Sequence, residues 1–336
     1  MPKIAVAISG GVDSAVAALV MRQNGFDVTG IYLHLKDDDP EMAAAEQVAH
    51  KLGIEFEALD LRQEFDCMIK REFAKSYSLG ETPNPCVDCN KKIKFGILLD
   101  RALELGCEGI ATGHYAVCDQ KRIIRAEYAP KDQTYCLWQI PKSRLKYIHF
   151  PLGNMAKPDV KKLAASAGLV SPDKKESMDI CFIPDGDYRH FLTEYTGDEG
   201  KKGSFVLYDG TFIGESNDQR CYTIGQRKGL GIAYAHPLYV VSKDPSSNTI
   251  VLGKEDLLFK TEVRVRNCNW QQDVPDEFDA LVQLRFRARD AQAHIKRNGD
   301  SALITFVSGV RAPSPGQSAV VYSNDGILLG GGVIER

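Results

Sequence analysis

Two kinds of apolar stretch alternate along the first third of the chain. Short runs typical of buried parallel strands occupy residues 4–8, 28–33, 55–61 and 109–112. Stretches with helical spacing occupy residues 14–23, 41–52 and 95–105, each followed by a glycine or an Asn-Gly pair. This order predicts an α/β fold with a doubly wound parallel sheet, in which ligands bind beyond the carboxyl ends of the strands.

The pattern changes after a further helical stretch at residues 157–167. From about Gly203 onwards, glycine, Asp-Gly, asparagine and proline turns separate short strands at residues 205–208, 238–241, 302–307 and 319–322. This pattern predicts a small β domain followed by a C-terminal β-barrel. We therefore expect three parts, at residues 1–200, 201–265 and 266–336.

Composition narrows the class of protein. The 336 residues are 43% hydrophobic and 26% charged, which is ordinary for a globular protein, and no apolar run is long enough to span a membrane. The apolar run at the N-terminus is too short for a signal peptide, so we expect a cytoplasmic protein. Nine scattered cysteines indicate free thiols in a reducing compartment. A net charge of −3 argues against a general nucleic-acid coat but leaves local basic patches open.

A glycine-rich turn, SGGVDS at residues 9–14, joins the first predicted strand to the first predicted helix. Its glycines let the backbone turn tightly and present N–H groups to an anion, and the dipole of the helix adds to the attraction. Asp13 can hold a magnesium ion that bridges phosphate oxygens. The lysine of the kinase-like P-loop motif is absent. The turn therefore predicts a phosphate-binding site that differs from the kinase-like P-loop. A plain strand-to-helix turn is the alternative that we disfavour.

Two cysteines lie three positions apart in PNPCVDCN at residues 83–90, which we interpret as a loop. Lysines follow at positions 91, 92 and 94, and nearby positive charge lowers the pKa of a thiol. A further cysteine, Cys181, lies in ICFI at residues 180–183. Structural zinc would need two such pairs, and a disulfide does not suit the cytoplasm. Sulfur chemistry remains for these thiols, whereas the cysteines without a cluster partner are expected to be inert: Cys67, Cys107, Cys118, Cys136, Cys221 and Cys268.

Alternating arginines mark residues 283–289, which read QLRFRAR. A strand here would place Arg285, Arg287 and Arg289 on one face, where they could follow a phosphate backbone. A solvated strand face is the alternative. Residues 263–266 repeat the pattern on a smaller scale.

These motifs together carry a family resemblance. SGGVDS resembles the PP-loop of enzymes that split ATP between its α and β phosphates. Over nearly its whole length the chain resembles the tRNA-specific 2-thiouridylases. The resemblance rests on SGGVDS, TPNP at 82–85, CNK at 89–91, TGHY at 112–115, KDQTY at 131–135, FPLG at 150–153, ICFI, YTIGQRKGL at 222–230, PGQ at 315–317 and LGGG at 329–332.

The resemblance implies ATP, magnesium and tRNA as reactants. The family adenylates the 2-carbonyl oxygen of the wobble uridine and then transfers sulfur to it. Cys181 matches the persulfide carrier, Cys89 the nucleophile, and Asp13 a catalytic residue that holds magnesium through ATP. The positions that match nucleotide contacts are Ala7, Ile8, Ser9, Gly10, Gly11, Val12, Asp13, Ser14, Leu33 and Gly113. The positions that match contacts with the target base or the tRNA are Asn84, Pro85, Cys86, His114, Lys131, Asp132, Gln133, Arg285, Phe286 and Gln317.

Cys86 departs from the family pattern, in which aspartate is common at this position. Cys86, Cys89 and Cys181 are three thiols that could hold a 4Fe–4S cluster with one iron open for a transferable sulfide. We rank this cluster below the persulfide route.

Partners and rival functions follow from the same resemblance. We expect a protein sulfur donor, either a cysteine desulfurase or a relay protein, no membrane association, and a monomer in solution. One rival function is an adenylating amide ligase that acts on a small metabolite. The other is a catalytically silent tRNA-binding protein. Neither rival needs both Cys89 and Cys181 beside an intact SGGVDS turn.

Overall fold

The computed structural model describes residues 1–169 and 180–336. Its strands are β1 (Lys3–Ala7), β2 (Asp27–His34), β3 (Glu55–Asp60), β4 (Ile110–Ala111), β5 (Val117–Cys118), β6 (Ile123–Ile124), β7 (Ile148–His149), β8 (Gly203–Leu207), β9 (Phe212–Ser216), β10 (Tyr239–Asp244), β11 (Thr249–Gly253), β12 (Phe259–Trp270), β13 (Glu277–Gln283), β14 (Ala291–Asn298), β15 (Ser301–Arg311), β16 (Ser318–Tyr322) and β17 (Leu328–Ile334).

Its α-helices are α1 (Val12–Gln23), α2 (Glu41–Leu52), α3 (Arg62–Phe65), α4 (Arg71–Ser78), α5 (Pro85–Cys89), α6 (Leu99–Glu104), α7 (Lys157–Ser166) and α8 (Tyr188–Thr196). Two π-helical segments, Asp66–Lys70 and Asn90–Leu98, join α3 to α4 and α5 to α6. Within the described ranges no helix is long and apolar enough to cross a membrane.

A five-stranded parallel sheet in the order β3-β2-β1-β4-β7 forms the first part. Alternate residues of β1 enter different cores: Ile4 and Val6 pack with residues of α1, α2 and α7, whereas Ala5 packs with the helical run between α5 and α6. Helices therefore cover both faces of the sheet. This confirms the predicted doubly wound α/β fold, since buried parallel strands need apolar side chains on both faces.

The strand order changes direction at β1, which lies between β2 and β4. The chain leaves β1 towards β2 and β3, and later returns to add β4 and β7 on the opposite side. At such a point the connections diverge and leave a crevice at the carboxyl ends of the strands, where ligands bind in this class of sheet. The SGGVDS turn follows β1 directly and therefore lies at this crevice.

The PNPCVDCN stretch is helical, so its prediction as a loop is wrong. Asn84 is the N-cap of α5, and its side chain accepts a 3.2 Å hydrogen bond from the backbone N–H of Cys86. Pro85 occupies the first helical turn, where its missing N–H costs nothing. The Asn-Pro pair is therefore a helix start. The helix continues through the π-helical segment to Glu104.

The remainder of the chain forms two β units, as predicted. The first is a four-stranded sheet in the order β10-β11-β8-β9. The second is a closed barrel in the order β12-β15-β14-β13-β16-β17. Its first strand, β12, runs from Phe259 to Trp270 and so crosses the position between residues 265 and 266. Along this strand Val263 and Val265 point into the barrel core while Arg264 is exposed, as the alternation predicts.

The strand predicted at residues 283–289 is wrong. β13 ends at Gln283, and the chain then turns, with the N–H of Ala288 donating to the carbonyl of Arg285 at 3.0 Å. Arg287 has a φ of 62°, which no strand permits. Arg285 does not follow the strand alternation, because its guanidinium points inward and donates to the carbonyls of Ile224 and Ala312. The three arginines therefore do not form a stripe on one face.

One segment, residues 131–140, lies between the sheet and the barrel, and we call it the linking segment. Its aromatic side chains Tyr135 and Trp138 are buried in the same core as Val320 and Tyr322 of the barrel. The hydroxyl of Tyr135 donates to the carbonyl of Ser318 at 2.9 Å. Because apolar packing and buried hydrogen bonds cross this boundary, the barrel and the α/β domain share a core.

Gln271 supplies a testable contact in this shared core. Its buried side-chain amide donates to the carbonyls of Leu137, Trp138 and Ile140 at 2.8, 3.3 and 3.0 Å. Gln271→Leu removes these hydrogen bonds, although the side-chain amide of Asn269 still donates to the carbonyls of Trp138 and Ile140. We therefore expect the free energy of unfolding in urea to fall by about 0.5–1.5 kcal/mol. Gln272→Leu is the matched control, since Gln272 makes one exposed contact with the carbonyl of Lys121. Equal stability of the two variants would contradict the shared core.

Candidate functional site

The SGGVDS turn is held closed by its two serine hydroxyls. The hydroxyl of Ser14 donates to the carbonyl of Gly11 at 3.1 Å and lies 3.1 Å from the hydroxyl of Ser9. The backbone N–H of Ser9 donates to the same Ser14 hydroxyl. This small network fixes the turn before α1 begins at Val12, with Ala7 and Ile8 leading into it from β1.

Two glycines allow close backbone contacts at the turn that a side chain would obstruct. Gly10 has a φ of 69°, and a Cβ there would lie 3.0 Å from the Cβ of Ala44. Gly113, just beyond β4, has its Cα against the turn, since a Cβ there would lie 2.8 Å from the carbonyl carbon of Asp13. Backbone N–H groups, a helix N-terminus and the absence of side chains fit a nucleotide phosphate chain. Leu33 lies near the carboxyl end of the neighbouring strand β2, at the same edge.

Asp13 is engaged by two side chains. Lys157 lies 2.6 Å from its Oδ1, and the hydroxyl of Tyr115 donates to the same oxygen at 2.9 Å. A carboxylate beside a phosphate site fits magnesium bound with ATP. The sequence alone assigns no role to either partner, Lys157 or Tyr115. A signal for the lysine exists, because the spacing of Lys157, Val160 and Ala164 places it on the buried face of its helix.

The two thiols of α5 differ in environment. Cys86 is exposed, whereas Cys89 is 8% exposed and packs with Phe65 and Ile93. Burial raises the pKa of Cys89 to about 12, and the positive charge of Lys94 opposes this only in part. The expectation that flanking lysines lower this pKa is therefore wrong. Removal of water from the thiolate outweighs the attraction to an ammonium group.

Cys181 lies next to these thiols although 92 positions separate it from Cys89 (181 − 89 = 92). Its neighbour Phe182 packs edge-on against Phe65 at 5.7 Å and against Phe73 at 5.4 Å, in the cluster that contains Cys89. Burial raises the pKa of Cys89, and the nearby charges of Cys181 and Cys86 add to the shift. Cys181 itself is exposed. The fold thus brings an accessible thiol beside a buried one.

Cys136 also lies at this site, so its prediction as a cysteine without a cluster partner is wrong. The amide of Asn84 donates weakly to its sulfur at 3.9 Å, and Asn90 donates to its carbonyl at 3.0 Å. Asn84 therefore contacts both Cys86 and Cys136. Burial raises the pKa of Cys136 to about 12, with the charge of Cys86 next in size. No local sequence signal marks this residue.

The residues present do not form a ready cluster site. Across residues 1–169 and 180–336, no three or more histidine, cysteine, aspartate or glutamate side chains are grouped so as to hold a metal ion. Cys86, Cys89 and Cys181 are close enough for their charges to interact, but they are not arranged as ligands of one metal centre. The arrangement does not fit a 4Fe–4S cluster.

His114 lies beside the helical run of residues 85–104, which carries Cys86 and Cys89 and is called the thiol helix below. Its Nδ1 lies 2.7 Å from the hydroxyl of Thr112, and its ring packs against Phe95 and Phe150 at 5.8 Å. Burial lowers the pKa of His114 well below its usual range, and Lys94 adds to the shift. The imidazole is therefore neutral near pH 7.

Two of the three predicted contacts in KDQTY are used inside the protein. Asp132 accepts hydrogen bonds from the N–H of Ala126 at 2.9 Å and from the hydroxyl of Thr134 at 2.7 Å. Gln133 accepts one from the N–H of Tyr115 at 2.9 Å. Lys131 ends a short 3₁₀ turn and is half-buried.

The predicted contacts in the barrel are also partly engaged. Gln317 donates to the carbonyl of Thr82 at 2.6 Å and so supports the segment that leads into α5. Arg285 is held by the carbonyls of Ile224 and Ala312. Phe286 is 41% exposed and remains available to a partner.

The fold and the turn define a class, the PP-loop nucleotide-binding enzymes. Three family models match the chain in order: the tRNA methyl transferase HUP domain at residues 2–185, the tRNA methyl transferase PRC-barrel domain at residues 189–254, and the aminomethyltransferase beta-barrel domain at residues 260–334. The matches coincide with the α/β domain, the four-stranded sheet and the barrel.

Curated relatives narrow the class to one family. A tRNA-specific 2-thiouridylase MnmA of Carboxydothermus hydrogenoformans is 39% identical over 99% of this chain and 98% of its own length. Another from Caldanaerobacter subterraneus is 39% identical with the same coverage. A third from Acidithiobacillus ferrooxidans is also 39% identical over 99% of this chain and 98% of its own length. The chain belongs to the tRNA-specific 2-thiouridylase family.

The environment of Cys89 predicts its reactivity. Iodoacetamide should modify Cys89 slowly at pH 8, and its rate should rise about tenfold per pH unit to about pH 11, because the thiolate fraction of a group with a pKa of about 12 rises in this way. Peptide mass analysis measures the rate of modification at each pH. Cys107, a buried thiol outside the site, is measured in the same samples as the control for general opening of the fold. A rate that levels off near pH 9 would show that burial blocks access without raising the pKa of Cys89.

Proposed function

We propose that this protein is an ATP-dependent tRNA 2-thiouridylase that replaces the 2-carbonyl oxygen of the wobble uridine with sulfur. The observation that carries the proposal is the convergence of two thiols, Cys89 and Cys181, at the carboxyl edge of a sheet that also holds the SGGVDS turn. Full-length relatives named as tRNA-specific 2-thiouridylases support it. An amide ligase for a small metabolite and a silent tRNA-binding protein have no comparable support.

The activation step takes place at the SGGVDS turn. The 2-carbonyl oxygen of uridine attacks the α-phosphorus of ATP, and the bond from this phosphorus to the bridging oxygen of the β-phosphate breaks. The electron pair leaves with pyrophosphate. The backbone N–H groups of the turn and the N-terminus of α1 bind the phosphates, and Asp13 holds the magnesium ion that ATP brings. Carbon 2 becomes electrophilic because its oxygen now belongs to a phosphate ester.

The sulfur step takes place between the two thiols. Cys181 carries a persulfide, and the Cys89 thiolate attacks its inner sulfur, so that a Cys89–Cys181 disulfide forms and hydrosulfide leaves. Hydrosulfide attacks carbon 2, AMP departs with the former carbonyl oxygen, and a proton is released. An external dithiol then reduces the disulfide. The exposed position of Cys181 suits loading by a donor, and the burial of Cys89 protects the attacking thiol from solvent oxidants.

The raised pKa of Cys89 requires a means of making thiolate when the substrate binds. Lys94 is the positive charge that lowers the pKa of Cys89, and it acts on Cys136 and Cys181 in the same direction, with burial as the larger and opposing cause in each case. Loss of the Cys89 proton is favoured near this ammonium group. We therefore assign to Lys94 the stabilisation of the attacking thiolate.

We assign the contacts with the tRNA to residues around the thiols and on the barrel. His114 is a neutral ring at the site, and Phe286 is an exposed ring on the barrel. Base stacking on such rings is a common mode of RNA recognition. Asn84, Pro85 and Cys86 form the start of α5, where Cys86 is exposed, and we assign to them the contact with the target uridine. Lys131 and Arg285 provide positive charge, while Asp132, Gln133 and Gln317 position the segments that carry these contacts.

We further propose that the protein acts in the cytoplasm as a monomer and receives sulfur from a cysteine desulfurase or a relay protein. All nine cysteines are free, which suits a reducing compartment. A protein donor must reach the sulfur of Cys181, and its exposure allows this.

Cys89→Ser and Cys181→Ser should each abolish 2-thiouridine formation, because serine neither carries a persulfide nor attacks one. Mass analysis of nucleosides from the treated tRNA measures the product. AMP release from ATP in the presence of tRNA and the affinity for tRNA should stay within about threefold of the wild type, since neither thiol takes part in adenylation.

Cys107→Ser is the matched control, since Cys107 is buried at 4% exposure and lies just before β4, at the amino ends of the parallel strands and away from the carboxyl edge. It should thiolate normally. Normal thiolation by Cys89→Ser or Cys181→Ser would contradict the role assigned to that residue.

Cys86 distinguishes the persulfide route from the cluster route. Because the three thiols are not grouped for metal binding, protein purified without oxygen should contain no iron or acid-labile sulfide and should be fully active. Cys86→Asp should retain activity. Iron and sulfide at about four per active chain, lost together with activity in Cys86→Asp, would establish the 4Fe–4S cluster and contradict the persulfide route.

A further inference from the structure

A glycine-rich loop beside the four-stranded sheet carries side chains that the proposed reaction does not use. Residues 223–238, which we call the glycine loop, connect the 3₁₀ turn Gln219–Cys221 to β10. The loop contains most of the YTIGQRKGL motif, and residues 222–238 include no aspartate or glutamate. In a chain with a net charge of −3, a stretch with an arginine, a lysine and no carboxylate is a local exception.

The base of the glycine loop is fixed to β10. The backbone N–H of Gly225 donates to the carbonyl of Val240 at 2.8 Å, and the N–H of Val240 donates to the carbonyl of Gln226 at 3.0 Å. The side-chain amide of Gln226 donates to the carbonyl of Lys228 at 3.0 Å and closes the turn. Gly225 has a φ of 85°, which favours glycine. The fold therefore sets the position of the side chains that follow Gln226.

The middle of the glycine loop has an inner and an outer set of side chains. Leu230 and Ile232 pack against the apolar core of the four-stranded sheet. Arg227, Lys228 and Tyr234 are exposed. Across residues 1–169 and 180–336, neither Arg227 nor Lys228 forms an ion pair. Both charges are therefore available to an anionic partner.

The glycine loop also surrounds a cavity. Its volume is about 700 Å³, and it is lined by Arg227 and residues 229–238. Tyr234 is 45% exposed at this cavity, and the ring of His236 lies edge-on to it at 5.0 Å. A cavity with a cation and an accessible ring suits a nucleotide, because unpaired bases stack on aromatic rings and phosphates bind cations.

The surface of the glycine loop continues onto the barrel. The guanidinium of Arg285 donates to the carbonyl of Ile224 in the loop at 3.2 Å. Phe286 and Arg287, which follow it, are exposed. The ring of Phe286 lies 6.2 Å from that of Tyr135 in the linking segment, which also borders the thiols. One basic and aromatic surface therefore leads from the thiol site to the glycine loop.

We propose that the glycine loop is a second binding site for the tRNA, separate from the site of the target uridine. Arg227 and Lys228 bind phosphates of the tRNA outside the wobble nucleotide, and Tyr234 stacks on a base that enters the cavity. This rests on the proposed function only in that tRNA is the substrate. The phosphate contacts supply affinity that is independent of sequence, and the stacked base fixes the position of the RNA along the surface.

Binding of full-length tRNA at several salt concentrations tests the phosphate contacts. Arg227→Gln/Lys228→Gln should raise the Kd about tenfold and lower the slope of log Kd against log salt concentration by about 2, because each lost contact releases about one counterion fewer.

Lys201→Gln/Lys202→Gln is the matched control for this double variant. These exposed lysines precede β8, which begins beside Thr249, at the end of the sheet opposite to Val240 and the base of the glycine loop. The control removes the same charge and should bind tRNA as the wild type does. An equal loss of affinity in both double variants, or wild-type affinity and slope in Arg227→Gln/Lys228→Gln, would overturn the proposal.

Tyr234 tests the contact with a base. Tyr234→Ala should raise the Kd for tRNA about tenfold and leave the salt slope unchanged, since stacking releases no counterion. Tyr234→Phe keeps the ring and should bind as the wild type does. Wild-type affinity in Tyr234→Ala would overturn the stacking contact.

Steady-state kinetics separate this inference from the proposed function. At saturating tRNA, Arg227→Gln/Lys228→Gln should form 2-thiouridine with a kcat within about twofold of the wild type, while its KM rises together with the Kd. If the wild type makes no 2-thiouridine but the double variant loses tRNA binding as expected, the proposed function is overturned and this inference stands. If the wild type thiolates tRNA and the double variant binds it normally, this inference alone is overturned.

Discussion

The linking segment, residues 131–140, is the constraint on which the arrangement of the site depends. Gln133 bonds to Tyr115, whose hydroxyl holds Asp13 at the nucleotide turn. Three residues further along, the backbone carbonyl of Cys136 accepts a hydrogen bond from the side-chain amide of Asn90 on the thiol helix. Between them, Tyr135 is anchored in the barrel. One short buried segment therefore fixes the nucleotide turn, the thiol helix and the barrel relative to one another, which a two-step reaction on one base requires.

This constraint explains why Cys89 stays protonated in the resting protein. A rigid, buried setting raises the pKa of Cys89 to about 12, so the resting thiol is protonated and protected. The same setting places a positive charge, Lys94, where a thiolate would form. Activation of uridine takes place at the SGGVDS turn and release of sulfur takes place at the thiols. The second step also requires that Cys89 first lose its proton. The barrel contributes through Gln317, which supports the entry to the thiol helix.

Local pattern is sufficient to predict strands β1 to β4, the doubly wound arrangement and the barrel, because buried strands and amphipathic helices leave periodic signals. It does not predict β7, which is only two residues long. It was insufficient where tertiary contacts override that period, as at Arg285, whose guanidinium is recruited by two carbonyls of other segments. The Asn84-Pro85 pair is a helix-start signal, and the prediction of a loop at these residues overlooks it. The family resemblance pointed to Cys89 and Cys181, but it could not show that burial governs the pKa of Cys89. Lys157 and Cys136 reach the site only through the fold.

One site that both activates uridine with ATP and replaces its oxygen with sulfur can be tested in a single reaction. The most direct measurement is mass analysis of the wobble nucleoside after purified protein is incubated with tRNA, ATP, magnesium, a dithiol and a persulfide donor. The expected product is uridine in which one oxygen has become sulfur, with one AMP formed for each sulfur gained. A methylated nucleoside, or AMP release without sulfur in the tRNA, would contradict it.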